Sequence, residues 1–107
     1  KIKNNEKIKI YNEKNNFNSV IDVEEITKLI LEVIKNNKII RNTFNLSASE
    51  SIKLGSTIKK IKKYYNSSSQ IISLKNEKKS YLISVKKIKK ILKFSTASVS
   101  KIINRNL

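Results

Sequence analysis

The stretch SVKKIKKILKFSTASVSKIIN, residues 84–104, decides the fold. Its apolar positions Ile88, Leu92, Phe94, Val99 and Ile102 can all point into one wedge if two helices cross there at roughly 90–120°. Ser84 and Ser95 then stand at the two N-cap positions, where a hydroxyl accepts a hydrogen bond from an otherwise unpaired backbone N–H. A second reading stays open on the same residues. Val85, Ile88, Leu92, Val99 and Ile102 also fit a heptad-like stripe on one uninterrupted amphipathic helix.

Working outward, the charge is strongly asymmetric. The chain has 107 residues, enough for one domain, with 24 Lys and Arg against 8 Asp and Glu, a formal net charge of +16 and a pI near 10.1. Residues 1–50 carry nine basic and seven acidic side chains, whereas residues 51–107 carry fifteen and one. Lys, Ile and Asn together supply 55 residues, a bias that AT-rich codons favour. Such a bias raises Glu with Lys and acts along the whole chain, so it does not account for a +14 second half. A polyanion-binding face attached to a near-neutral scaffold does.

The absences limit the chemistry. There is no Cys and no His, so disulfides, thiolate or imidazole metal sites and the usual general base are missing. No glycine-rich phosphate loop is present. Catalysis, a metal and a cofactor are therefore not expected. Tyr64-Tyr65 reads as core packing rather than as a nucleophile, and Asp22, Glu24, Glu25 and Glu32 read as capping and surface charge. No apolar run approaches the ~18 residues of a membrane span, and no charged-then-apolar leader opens the sequence. The expectation is a soluble, cytoplasmic protein with no membrane partner.

Along the chain, Lys7-Ile8-Lys9-Ile10-Tyr11 alternates with the period of an edge strand or extended arm. Asp22 is an N-cap with Glu25 three residues on. A helix should follow, burying Val23, Ile26, Leu29, Ile30, Val33 and Ile34 and ending near Asn36-Asn37. Its balanced charge suits a core or dimerisation element. Residues 38–44 fit about two helical turns. Ser47-Ala48-Ser49-Glu50 has the capping-box pattern, which predicts a helix from about Ala48 towards Tyr65 with Leu54, Ile58, Ile61 and Tyr65 on one face. Gly55 is then either tolerated inside the helix at about 1 kcal/mol or marks a break. After the loop 66–69, the runs 70–74 and 80–84 read as a hairpin with a basic tip at 75–79.

Residues 84–104 resemble the helix-turn-helix of the lactose-repressor and related bacterial regulator families. Ser84 matches the first cap, Phe94 the hydrophobic turn position, Ser95 the second cap, Ser98-Val99-Ser100 the Thr-Val-Ser run and Asn104 the asparagine that often closes the motif. Two positions depart from it. Lys89 replaces a small residue at the helix crossing, and Lys93 replaces a glycine in left-handed conformation at a cost of about 1 kcal/mol. The resemblance implies a recognition helix with Thr96 and Ala97 at base edges and Lys101 one turn later. Ser95, Ser98 and Ser100 would contact phosphate.

The segment 48–65 followed by the hairpin resembles, more loosely, the recognition helix and wing of winged-helix proteins. In that reading Lys59, Lys60, Lys62 and Lys63 lie along one groove, and Lys75, Lys78 and Lys79 at the tip reach phosphates or the minor groove; a solvated lysine face explains the same residues. Arg105 completes the basic set.

The expected fold is mainly α with a small β-hairpin, a winged helix-turn-helix with an additional C-terminal helix pair. It divides into an extended arm (1–18), helical core (22–65), hairpin wing (70–84) and C-terminal helices (85–107). The expected function is sequence-specific binding of double-stranded DNA, without catalysis, by a homodimer. Small plasmid- or phage-encoded accessory proteins of low-GC bacteria look similar and serve partition, conjugation, replication or transcription regulation, some beside another protein of a DNA-processing complex. The alternative is an RNA-binding or ribosome-associated basic protein, for which exposed aromatics would be the mark.

Overall fold

The computed structural model describes residues 1–36 and 41–107. In chain order these form a short 3-10 turn (Ile2–Asn4), β1 (Ile8–Tyr11), β2 (Asn16–Phe17), α1 (Val23–Lys35), β3 (Ile52–Lys53), α2 (Leu54–Tyr64), β4 (Ile71–Leu74), α3 (Lys86–Leu92) and α4 (Val99–Arg105). The chain is thus mainly helical with a small amount of β structure. Its radius of gyration is 16.7 Å and its extents are 51 × 30 × 15 Å. A compact chain of this length would have a radius near 13 Å, so this one is flat and drawn out. Among the described residues no helix is long and apolar enough to cross a membrane.

The strand pairing differs from the hairpin expected over 70–84. β4 pairs in parallel with β1, Ile8 opposite Ile71 and Tyr11 opposite Leu74, while β2 and β3 form a separate two-residue antiparallel pair. Residues 80–84 form no strand. The cause is competition for backbone partners. The Asn18 side chain accepts from the Ile83 N–H at 2.9 Å and donates to the Ile83 carbonyl at 2.8 Å, which removes that run from the ladder. Asn12 and Asn76 close the end of the β1–β4 pair, Asn12 Nδ2 donating to Asn76 Oδ1 at 2.5 Å and the Asn76 N–H to Asn12 Oδ1 at 2.9 Å. Residues 1–18 are therefore not a free arm, because β1 is a strand of the main sheet.

α1 begins as read from the sequence. Asp22 is its N-cap and accepts from the Glu24 N–H at 3.1 Å. Its packing departs from expectation: Val23, Ile30, Leu31, Val33 and Ile34 are exposed, whereas Glu25, expected on the surface, is buried. Of the short helix expected over 38–44, residues 41–44 are not helical and 38–40 lie outside the described residues.

The capping box at 47–50 starts no helix. Ser47 Oγ donates to the Asn18 carbonyl, the Ala48 N–H donates to the Val20 carbonyl at 2.8 Å, and the Ser49 N–H donates to the Ala97 carbonyl at 3.0 Å. These long-range bonds hold the segment extended between two other pieces of chain. α2 starts instead at Leu54, with no side-chain cap on its N-cap residue Lys53. Its first N–H groups go to loop carbonyls, Leu54 to Asn15 at 3.0 Å and Gly55 to Glu13 at 2.8 Å. Gly55 is therefore neither mid-helix nor a break. It lies in the first turn, where a Cβ would sit 3.2 Å from both the Glu13 carbonyl oxygen and the Glu13 Cβ.

The core is small. Ala48, Val99 and Ile102 are buried together, with Phe17, Val20, Ile52, Ala97 and Ile103 packed around them. Asn18 ties this core to the 80–84 run, since its Nδ2 also donates to the Ala48 carbonyl at 3.1 Å. Replacing Asn18 by Ala strands three backbone groups and should cost about 2–4 kcal/mol in urea unfolding. Asn18→Asp keeps the acceptor but loses both donated bonds, and should be destabilised nearly as much. Wild-type stability of the Asp variant would show that the amide is not the tie.

Candidate nucleic-acid interface

Residues 84–104 form two helices, not one. α3 ends at Leu92, Lys93 adopts the left-handed conformation at φ 53°, and α4 starts at Val99. Among the described residues the other non-glycine positions with positive φ are Asn5, Asn12 and Asn66, a side chain that tolerates this region. Lys93 has no such tolerance, so the position where the helix-turn-helix resemblance expects glycine is the position where the backbone needs one.

The connection is longer than the resemblance implies. Ser98, rather than Ser95, is the N-cap of α4, its Oγ accepting from the Lys101 N–H at 3.3 Å. Residues 95–97 stay extended because tertiary bonds hold them. Thr96 is 6% exposed and its hydroxyl donates to the Ser47 carbonyl at 2.6 Å. The Ala97 N–H donates to Glu25 Oε1 at 2.6 Å, and the other oxygen of that carboxylate is buried without a hydrogen-bond partner. Thr96 and Ala97 therefore do not face a groove: Thr96 is spent on the core, and Ala97 packs against it.

The remaining candidates divide by what already holds them. Ser95 is exposed. Ser98 is used as a cap. Ser100 is half-buried and accepts from Lys60 Nζ at 3.0 Å, which joins α4 to α2. Arg105 lies 3.7 Å from Asp22, among the described residues the one ion pair. Lys101 and Asn104 are exposed on the outer face of α4. On α2, Ser56, Lys59 and Lys63 are exposed at i, i+3 and i+7, while Lys60 and Lys62 are half-buried beside them. Lys75, Lys78 and Lys79 are exposed on the loop after β4, anchored to β1 through Asn12, so they belong to the sheet end rather than to a wing.

The structure adds residues not expected from the sequence. Lys86, Lys89, Lys90 and Lys93 are exposed on and just after α3, around a single buried Ile88. That run of lysines is visible in the sequence. Lys87 is occupied, donating to the Thr43 carbonyl at 2.9 Å with its Nζ 5.4 Å from the Phe44 ring centre. All four tyrosines are exposed. Tyr64 and Tyr65, expected in the core, form an edge-to-face pair with ring centres 5.0 Å apart at the C-terminal end of the basic helix α2. Periodicity put Tyr65 on the apolar face, but the core ends short of it.

Exposed lysines stand on α2, α3 and α4, and the Lys60–Ser100 bond joins the first of these helices to the last. They offer phosphate-neutralising charge, with exposed amide and hydroxyl groups beside them, and among the described residues no hydrogen bond pairs a nucleophile with a base. Comparison with protein-family models and with curated proteins finds no match.

The left-handed Lys93 gives a direct check of the turn. Lys93→Gly should raise stability by about 0.5–1 kcal/mol, whereas β-branched Lys93→Val should lower it by about 1–2 kcal/mol, both read from thermal unfolding. The opposite order would exclude a left-handed residue there.

Proposed function

We propose that this protein binds double-stranded DNA without catalysis, through the lysine field of α2, α3 and α4. One observation carries the reading: the +14 half of the chain leaves most of its lysines exposed, and among the described residues none of them has a carboxylate within ion-pair distance. Uncompensated charge of one sign on a rigid surface attracts a polyanion and releases its counterions on binding. The break at Lys93 matches the two-helix part of the helix-turn-helix pattern, but the apolar wedge expected between the helices is not formed, since Val99 and Ile102 pack with Ala48 while Ile88, Leu92 and Phe94 lie outside that cluster. With Thr96 and Ala97 committed to the core, base reading passes to Lys101 and Asn104 on the outer face of α4. Lysine suits guanine O6 and N7, and asparagine suits adenine N6 and N7. Lys59 and Lys63, on the helix joined to α4 by the Lys60–Ser100 bond, contact phosphates. Such a module serves as a transcription regulator or as an accessory factor in partition, conjugation or replication.

A second reading is favoured by the tyrosines. Tyr64 and Tyr65 beside Lys62 and Lys63, with Tyr81 80% exposed, supply stacking faces for unpaired bases, as an RNA-binding protein requires.

Titration with duplex DNA, single-stranded DNA and RNA over a salt series separates the two. Duplex affinity should fall steeply with salt, and each of Lys59→Ala, Lys63→Ala and Lys101→Ala should reduce the slope of log K against log salt by about 1. Asn104→Ala should narrow the difference between preferred and random duplexes with little change in slope. Stronger binding to RNA that is lost in a Tyr64→Ala/Tyr65→Ala variant would replace the duplex reading by the second one.

A further inference from the structure

α1 carries an apolar stripe that none of the described residues covers. Val23 is 75% exposed, Ile34 68% and Ile30 53%, and these lie at i, i+11 and i+7 with Thr27 between them, so they form one line along the helix. Leu31, half exposed, widens it on one side. The opposite side of the stripe is where α1 meets its own body, through buried Glu25 and half-buried Ile26 and Leu29.

The charges on the free side choose the occupant. Glu24 and Lys35 both border the stripe on the Leu31 side, at opposite ends of the helix. In a pair of α1 helices related by a two-fold axis near residues 28–30, that free side meets its own copy running the other way. Glu24 then faces Lys35 of the second copy at both ends, while Ile30 packs against Ile30 and Val23 against Ile34. A parallel pairing would need the side that is already packed on the body. Polyanions and anionic lipid surfaces fit poorly, because α1 holds Glu24, Glu25 and Glu32 against Lys28 and Lys35, whereas membrane-surface helices carry a basic polar face. α1 is also the segment where two highly positive chains can approach with least repulsion.

We infer that α1 is the self-association surface of this protein, forming an antiparallel helix pair between two copies. The pair is about 20 Å long and one helix wide, so its contact falls short of the roughly 800 Å² per partner of a stable interface and the dimer is weak. It is also fixed relative to the lysine field, since Glu25 holds the Ala97 N–H and Asp22 lies beside Arg105. The inference does not depend on which nucleic acid that field binds.

Sedimentation equilibrium of the full chain tests it. The average mass should rise from one chain towards two between about 10 μM and 1 mM. Ile30→Glu, a solvent-side change, should remain monomeric throughout with the helical circular dichroism of the wild type. E24K alone and K35E alone should each weaken the dimer about threefold to tenfold, and the double exchange should restore it. A chain that stays monomeric at 1 mM, a dimer indifferent to Ile30→Glu, or a double exchange as weak as the single ones would overturn the inference.

Discussion

The structure hangs on how the backbone of residues 47–50 is satisfied. This segment sits in the middle of a thin molecule, with Ser47 and Ala48 fully buried, and a buried backbone group without a partner costs as much as a lost hydrogen bond. Helix formation would have met the need locally. The chain instead bonds the segment to residues 18–20 on one side and to 96–99 on the other, so three distant stretches become one assembly. Asn18 extends the same solution to Ile83. With Ile10, Ala48, Ile88, Val99 and Ile102 the buried apolar side chains among the described residues, these polar ties supply specificity that apolar area alone does not.

That constraint explains which parts of the sequence were legible. Features decided by adjacent residues are legible: the Asp22 cap, the helix Val23–Lys35 and the interruption of residues 84–104, while the alternation at Ile8–Tyr11 leaves strand and extended arm open and the β4 partner makes it a strand. Features requiring a distant partner were not. The capping box at Ser47 is a real local preference, overridden because its hydroxyl goes to Asn18. The 80–84 run has strand propensity, but Ile83 is taken by a side chain rather than by β4. The parallel pairing of β1 with β4 has no local signature, since the two strands are separated by most of the helical content.

The candidate interface was legible as charge and misplaced as geometry. Counting lysines located it in the second half of the chain. Assigning Thr96 to a groove presumed a short turn, and the turn is long because the Thr96 hydroxyl and the Ala97 N–H are bonded to the first half. The stripe on α1 was visible as periodicity, yet periodicity states only that a face is apolar and not what covers it.

The near-neutral first half meets the basic second half at the first turn of α1. Asp22 caps that turn and stands beside Arg105, while Glu25 reaches the connection before α4, so two acidic side chains at a helix N-terminus position the basic helix that follows. A carboxylate is well placed there on two counts, because the helix dipole favours negative charge and the Ala97 N–H would otherwise lack an acceptor. The sequence carries few acids, and those of α1 do not dilute the lysine field. They tie the connection before α4 to the first half, so a chain of net charge +16 folds while its exposed lysines stay without ion pairs among the described residues.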